Sequence, residues 1–142
     1  CKLSQDFLDK LINFHTKTQR DKTEFKSLDY RDVIDFNKLT KNDLVYCDPP
    51  YLITLATYNE NGSWTEEDEQ DLLKFLVHAD ELGLKFALSN VLKAKDKENL
   101  ILKEWINKYA YKVNILNKDY SNSNYQRKNK DSISEEVLIT NY

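Results

Sequence analysis

The sequence contains very little glycine, proline or cysteine and no methionine. Among its 142 residues there are two glycines, two prolines and two cysteines. Glycine-rich loops bind phosphates and nucleosides because their backbone can approach the ligand closely. Gly62 and Gly83 lie too far apart to form such a loop. We therefore expect any nucleotide-like cofactor to depend at least partly on residues outside this chain. The first residue is Cys1 rather than methionine, so we expect a truncated or processed product.

Long apolar runs are also absent. No stretch approaches the ~20 apolar residues that a membrane-spanning helix needs, and the polar, amphipathic first segment is not typical of a signal peptide. Cys1 and Cys47 provide neither a disulfide framework nor metal-ligand spacing. We interpret Cys47 as a small buried apolar residue, and we expect a cytoplasmic location and no bound metal. The net charge of −3 argues weakly against nucleic-acid binding over the whole surface but allows a local basic patch.

Hydrophobic periodicity and cap residues predict strands and helices that alternate as in the back part of an α/β sheet. The polar stretches 52–63 and 117–134 are predicted loops. The predicted elements are, in chain order, a helix over 3–20 capped by Ser4, a weak strand at 23–28, a connector or helical turn at 30–36, a buried strand at 44–47, a helix from the Thr65 cap to Gly83 that buries Leu72, Leu73, Leu76 and Ala79, a buried strand at 84–89, a helix over 99–109, and strands at 111–116 and 136–140.

The most informative segment is a tetrapeptide that follows the apolar run 44–47. It consists of Asp48, Pro49, Pro50 and Tyr51. Prolines cannot continue a sheet or enter a helix interior, so they hold the chain in a stiff, extended turn. The turn offers an unpaired carboxylate, bare backbone carbonyls and an aromatic face, which together hold a flat, amine-bearing ring by its edge and its face. The alternative interpretation is a turn that ends the strand and is plugged by an aromatic ring.

Three further segments accompany the tetrapeptide in a consistent order. They are FKSLDYRDV at 25–33, FALSNV at 86–91, and the stretch 120–142 that ends in EVLITNY; Tyr58 and Asn59 follow the tetrapeptide in a polar loop. Together these landmarks resemble the Dam-type, D12 class DNA adenine methyltransferases over roughly residues 3–142. Such enzymes flip an adenine out of DNA and methylate its exocyclic amino group with S-adenosylmethionine.

The resemblance implies an incomplete Rossmann-like methyltransferase fold of the α/β class. Residues 1–22 would be a helical segment at the tail of the target-recognition region, and residues 23–142 the C-terminal part of the catalytic domain. Members of the family carry a glycine-containing cofactor loop before the catalytic motif, and this chain has none. The implied partners are therefore double-stranded DNA and the missing N-terminal half of the same enzyme, and we expect the chain alone to be inactive.

The resemblance also assigns roles within the tetrapeptide. The adenine amino nitrogen is a poor nucleophile because its lone pair is delocalised into the ring. Asp48 and the carbonyl of Pro49 are expected to accept hydrogen bonds from both amino hydrogens and draw the nitrogen toward tetrahedral geometry. Tyr51 is expected to stack on the extruded base, and Pro50 completes the catalytic set.

Cofactor and DNA contacts are implied in the same way. Asp29 and Tyr30, with Asp48, are the implied cofactor contacts, although the first two also fit an ordinary exposed acid and a partly buried ring. The implied DNA contacts lie in the two polar loops, for which a solvated surface is the alternative interpretation. These DNA contacts are Tyr58, Asn59, Tyr120, Asn122, Arg127 and Lys128.

Other polar residues have weaker interpretations. Ser89 and Asn90 are expected to end the strand beside the catalytic one, where strand ends face the ligand crevice, or to cap the next turn. We interpret the acidic residues 66–69 as compensating the positive end of a helix rather than as a metal site. Two other functions stay open: an amino methyltransferase acting on RNA adenine or DNA cytosine, and a non-catalytic remnant that binds DNA through residues 117–134.

Overall fold

The computed structural model describes residues 4–20, 23–33, 35–54, 64–116 and 134–142. The chain divides into two compact units, Cys1–Ile34 and Asp35–Tyr142, which we describe separately. The predicted boundary near residue 22 rests on the family resemblance and stays a prediction.

The first unit contains helix α1, Gln5–Arg20, and the short helix α2, Tyr30–Val33. Ser4 caps α1 as predicted, because its hydroxyl accepts a hydrogen bond from the Phe7 backbone N–H at 3.3 Å. The helix buries no residue, and its exposed large apolar side chains are Phe7, Leu11, Ile12 and Phe14.

The prediction of a strand at residues 23–28 is wrong. The described residues of this segment form no regular element, and all of them are exposed. A strand needs a neighbour for its backbone hydrogen bonds, and no described strand pairs with this segment. Phe25 instead lies beside Phe14 of α1, with ring centroids 6.3 Å apart.

The second unit is a mixed sheet with helices. Its elements are the 3₁₀ helix Phe36–Lys38, strand β1 Leu44–Cys47, helix α3 Glu66–Glu81, strand β2 Lys85–Ala94, strand β3 Lys97–Glu98, helix α4 Leu100–Tyr109, strand β4 Lys112–Ile115 and strand β5 Ser134–Thr140. The sheet order is β1-β2-β5-β4, and β3 pairs with β2. β1 runs parallel to β2, whereas β5 is antiparallel to both of its neighbours. The predicted α/β class is therefore confirmed.

The core forms where α3 and α4 pack on β2. Phe86 of β2 is fully buried and contacts Trp105 of α4 and Tyr111, with ring centroids 5.9 and 5.0 Å away. The buried face predicted for α3 is confirmed, since Leu72, Leu73, Leu76 and Ala79 are all buried. Apolar burial of this kind is the main favourable contribution to folding.

Both predicted ends of α3 are also confirmed. Thr65 and Asp68 form a reciprocal capping box, in which each side chain accepts a hydrogen bond from the other residue's backbone N–H. Gly83 follows the last turn with φ of +73°, a left-handed conformation that glycine adopts without strain.

Strand β1 is less buried than expected. Leu44 and Tyr46 are 54% and 59% exposed, and Val45 is the buried residue of the strand. β1 lies at the edge of the described sheet, where β2 is its single neighbour. The apolar run thus correctly predicted a strand, but full burial requires cover on both faces, which the described part of the chain does not supply.

A matched pair of leucines tests this core. Replacing the fully buried Leu76 with alanine is expected to lower the free energy of unfolding by about 2–5 kcal/mol, because a cavity is left in α3's packing face. The same change at Leu100, which is 62% exposed at the start of α4, should cost less than about 0.5 kcal/mol. Urea unfolding of both variants measures the difference. Equal losses would contradict the described packing.

Candidate active site

The tetrapeptide lies at the carboxyl end of β1, beside the middle of β2. Cys47 pairs with Leu88 in the parallel register, so Asp48 follows at the level of Ser89. Pro49 and Pro50 lack a backbone N–H and cannot extend the β1 ladder, while β2 continues to Ala94. Ser89 and Asn90 therefore do not end their strand, which corrects the sequence prediction. They lie instead at the point where the neighbouring strand turns away.

A short hydrogen-bond chain joins Asp48, Tyr51 and Ser89. The Tyr51 hydroxyl donates to Asp48 Oδ1 at 3.1 Å and lies 3.2 Å from Ser89 Oγ. An ionised carboxylate can only accept, so the single Tyr51 proton points to Asp48 and Ser89 donates to the Tyr51 oxygen. We call these three side chains the catalytic corner.

The corner leaves half of the Asp48 carboxylate available. Asp48 is exposed, and within the described part of the chain Oδ2 has no hydrogen-bond partner. The sequence analysis predicted an unpaired Asp48 carboxylate. That prediction is wrong for Oδ1, which accepts from Tyr51, and holds for Oδ2 among the described residues. Thr54 directs its backbone N–H and its hydroxyl to the Tyr51 carbonyl, at 3.2 and 3.3 Å. No described donor reaches the Pro49 carbonyl.

The phenol of Tyr51 is protonated at neutral pH, and its surroundings raise its pKa further. Desolvation raises the pKa of Tyr51 above its usual value, partly offset by the Ser89 hydrogen bond, and the negative charge of Asp48 raises it further. At neutral pH Tyr51 is consequently a neutral donor with an aromatic face, and it is not a base.

Cys47 directly precedes the corner but is not a nucleophile at neutral pH. Its thiol is free and partly buried. Desolvation raises the pKa of Cys47 to about 11, so the reactive thiolate is scarce. The predicted apolar role is compatible with this position.

Two of the three residues expected to touch a cofactor, Asp29 and Tyr30, lie in the first unit, whereas the third, Asp48, belongs to the catalytic corner of the second unit. Arg31 holds both carboxylate oxygens of Asp29, at 2.8 Å each, and this hydrogen bonding lowers the pKa of Asp29 to about 2. The Arg31 guanidinium also lies 5.3 Å from the centre of the Tyr30 ring. Their cofactor role stays a prediction.

The predicted DNA contacts lie outside the described residues. This applies to all six: Tyr58, Asn59, Tyr120, Asn122, Arg127 and Lys128.

A buried acid near the corner was missed by the sequence analysis. Glu69, in the first turn of α3, is completely buried. It accepts hydrogen bonds from Trp64, Asn90 and Asn99 at 2.7, 3.0 and 2.9 Å. The signal was present in the sequence, because Glu69 precedes Leu72 and Leu76 at helical spacing. We call these four polar side chains the Glu69 network.

Other candidate sites are not supported by the described residues. They contain no group of three or more His, Cys, Asp or Glu side chains that could hold a metal ion. None of the described helices is both long and apolar enough to cross a membrane. A surface groove of about 520 Å³ lies between α3 and α4, lined by residues that include Lys74, His78 and Lys108, and no residue of the catalytic corner lines it.

Comparison with known proteins gives a consistent picture. A family profile for D12 class N6 adenine-specific DNA methyltransferases matches residues 2–133. The chain is 41% identical over 143 residues to the modification methylase StsI of Streptococcus sanguinis, which covers 98% of this chain and 21% of that protein. This chain is also 46% identical over 112 residues to the type II methyltransferase M.FokI of Planomicrobium okeanokoites, covering 76% of this chain and 17% of that protein.

A third relative is the modification methylase LlaI of Lactococcus lactis subsp. lactis. This chain is 35% identical to it over 143 residues, covering 98% of this chain and 21% of that protein. The chain thus spans about a fifth of the length of these relatives.

Proposed function

The chain belongs to the D12 class N6 adenine-specific DNA methyltransferases, and we propose that it is the part of such an enzyme that holds the target adenine during methyl transfer to its amino group. The relatives are named as modification methylases or a type II methyltransferase. We therefore infer a role in DNA modification, as in a restriction–modification system.

The single observation that carries this proposal is the geometry of the catalytic corner. Oδ2 of the exposed Asp48 carboxylate and the Pro49 carbonyl, neither with a described partner, belong to the same turn as the half-buried Tyr51, whose hydroxyl bonds to Asp48 Oδ1. Two acceptors beside an aromatic face match a planar base that carries an amino group. The hydroxyl of Tyr51 fixes the other Asp48 oxygen, so the carboxylate is oriented before the base arrives.

The chemistry follows from these acceptors. When Asp48 Oδ2 and the Pro49 carbonyl each accept one amino hydrogen, electron density returns to the nitrogen and its lone pair becomes available. As the amino nitrogen bonds to the methyl group and the donor's C–S bond breaks, the nitrogen gains positive charge, which acceptors that are already oriented stabilise without reorganisation. The methylated nitrogen would then lose one proton through the Asp48 carboxylate to solvent. Alignment of the two reactants supplies much of the remaining acceleration.

Tyr51 would hold the base by its face. An adenine must leave the duplex before its amino group can reach the corner. Stacking of a base on an aromatic side chain contributes about 1–3 kcal/mol, which helps to offset the lost stacking in the duplex.

The residues that the structure describes do not by themselves provide a site that fits S-adenosylmethionine. The chain has no glycine-rich loop, and both oxygens of Asp29 are taken by Arg31. S-adenosylmethionine would supply an electrophilic methyl group, and we propose that its binding requires the N-terminal half of the methyltransferase. We use the term extended protein for this chain with that half restored.

The open edge of the described sheet also supports the proposal that further polypeptide completes the fold. β1 has a paired neighbour on one side among the described strands, and Leu44 and Tyr46 are exposed on it. An apolar edge strand left open is prone to pair with other chains. We propose that in the extended protein further strands pair with β1 and complete a Rossmann-like fold.

We further propose that the two polar loops contact DNA. The basic residues Arg127 and Lys128 would bind phosphates, whose contacts weaken as salt increases. Tyr58, Asn59, Tyr120 and Asn122 would supply the remaining contacts to the DNA.

The acceptor base is the direct test of this function. The extended protein, S-adenosylmethionine and three substrates are required: duplex DNA, the same duplex with the adenine amino group removed, and the matching RNA. We expect methyl incorporation with the first substrate alone. Methylation of the amine-lacking duplex at cytosine, or of RNA, would contradict the assignment to DNA adenine. Calorimetry that detects duplex binding but no cofactor binding would instead indicate a non-catalytic remnant.

Tyr51→Phe separates the hydroxyl from the ring. The variant keeps the stacking surface but loses the hydrogen bonds to Asp48 and Ser89, so we expect kcat of the extended protein to fall about tenfold, which corresponds to a loss of about 1.4 kcal/mol of transition-state stabilisation. Tyr51→Ala should lose stacking as well and fall further. Steady-state kinetics on duplex DNA measures both. Equal losses in the two variants would show that the ring face contributes nothing.

A further inference from the structure

Glu69 is a buried charged group that the proposed chemistry does not use. It is completely buried, and a buried carboxylate is unfavourable unless hydrogen bonds replace its water. Three donors do so here, with Oε1 bonded to Asn90 and Asn99 and Oε2 bonded to Trp64. The amino-terminal turn of α3 also favours a negative charge at this position.

The directions of these hydrogen bonds are determined by neighbouring backbone groups. Asn90 Oδ1 accepts from the Val91 N–H at 2.7 Å, so its amide nitrogen must point to Glu69. Asn99 Oδ1 accepts from the Leu102 N–H at 3.0 Å as the cap of α4, so its amide nitrogen also points to Glu69. The indole N–H of Trp64 can only donate. Every partner is therefore a donor, and the site requires a group that only accepts.

The network joins three separate elements of the second unit. Trp64 immediately precedes α3, Asn90 belongs to β2, and Asn99 caps α4. Glu69 thereby fixes the start of both helices against Asn90 of β2. Asn90 is next to Ser89, which is the β2 residue of the catalytic corner.

Adjacent residues of a strand face opposite sides of the sheet. Asn90 therefore faces the helices, while Ser89 faces the other side and contacts the Tyr51 hydroxyl. A rotation or shift of β2 at this point would move both side chains together. The Glu69 network and the catalytic corner thus share one short piece of backbone.

We propose that Glu69 is a positioning residue for the methyl transfer reaction. It holds Asn90, and through the β2 backbone it fixes Ser89, the Tyr51 hydroxyl and the Asp48 carboxylate. The kinetic part of this inference rests on the proposed function, whereas the positional part concerns the corner itself.

Glu69→Gln tests the proposal with little change in volume. Glutamine replaces one accepting oxygen with an NH₂ group, which must then face either Trp64 or the two asparagine amides, all of them donors. Glu67→Gln is the matched control, because Glu67 lies in the same helical turn, loses the same charge and is exposed. Leu76→Ala is a second control that lowers stability without touching the network.

Kinetics and hydrogen exchange of the extended protein provide the two readouts. We expect Glu69→Gln to lower kcat by about 10- to 100-fold, the effect of misplacing reacting groups by a fraction of an ångström to an ångström, while KM for S-adenosylmethionine changes less than about twofold. Amide exchange should become faster in peptides covering residues 47–54. Glu67→Gln and Leu76→Ala should leave both the kcat and this exchange unchanged at a temperature where all variants are folded.

The outcomes separate the two proposals. If the wild-type extended protein methylates no DNA, the proposed function fails, and exchange at residues 47–54 still decides whether Glu69 positions the corner. If the wild type is active but Glu69→Gln keeps its kcat and its exchange over 47–54, the positioning role is overturned. Equal loss of kcat in Leu76→Ala would also overturn it, because reduced stability alone would then explain the effect.

Discussion

Asp48→Ala is expected to reduce methyl incorporation by the extended protein by at least about 10²–10³-fold, the loss typical for removal of one preorganised group that stabilises charge in a transition state. The reason is the position of the carboxylate. One oxygen is fixed by Tyr51 at 3.1 Å, and the other is free within the described residues to accept from the amino group. Alanine removes both the acceptor and the negative charge beside the developing ammonium.

The matched control for this prediction is Asp96→Ala. Asp96 is exposed in the same unit and forms no hydrogen bond or ion pair with another described side chain, so methylation should stay within about twofold of wild type. Asp48→Asn adds a second comparison, since it keeps the shape and loses the charge. Single-turnover measurements of methyl transfer to duplex DNA check all three. Near-normal transfer by Asp48→Ala would exclude the catalytic role of the corner.

Local patterns in the sequence predicted the elements that depend on neighbouring residues. The Ser4 cap, the Thr65 cap and the Gly83 end of α3 involve residues within a few positions of one another. Such interactions are encoded by spacing and hardly depend on tertiary structure. The family resemblance was confirmed for the same reason, because short motifs in one order are visible without coordinates.

Long-range contacts explain what the sequence analysis missed. Glu69 was interpreted, with its acidic neighbours, only as compensating the positive end of a helix, yet its side chain is buried and bonds to Asn90 and Asn99, which lie 21 and 30 residues away. Likewise the side chain of Asn141 bonds to the Phe86 N–H across 55 residues, at 2.8 Å. Neither pairing follows from periodicity, because each requires the fold that brings the strands and helices together.

The unconfirmed strand at 23–28 illustrates the opposite error. Residues 23–28 were predicted to form a weak strand, but Phe25 among them is 72% exposed and lies on no described strand. A strand propensity is realised only where a sheet offers a partner. Strand β1 shows the same dependence on a partner. Its exposed residues Leu44 and Tyr46 are suited to a sheet that continues beyond the described strands.

The chain alone is expected to transfer no measurable methyl group to DNA, whereas the extended protein should transfer it readily. The catalytic corner is present in both, but the chain alone has no glycine-rich loop, and none of its described strands covers the outer edge of β1. Methyl transfer requires both reactants to be held together, and alignment accounts for a large share of enzymatic acceleration. The measurement is methyl incorporation into adenine-containing duplex DNA by both proteins at equal concentration.

Adding the N-terminal half as a separate polypeptide provides a sharper version of this experiment. If the missing half only supplies the cofactor site and the sheet neighbour of β1, mixing the two parts should restore part of the activity, with a dependence on concentration that the covalently joined protein lacks. Asp48→Ala in the short chain should then abolish the restored activity, which would place the acceptors in this part and the cofactor site in the other. Robust activity of the short chain by itself would show that its two glycines suffice and that the cofactor is held in another way.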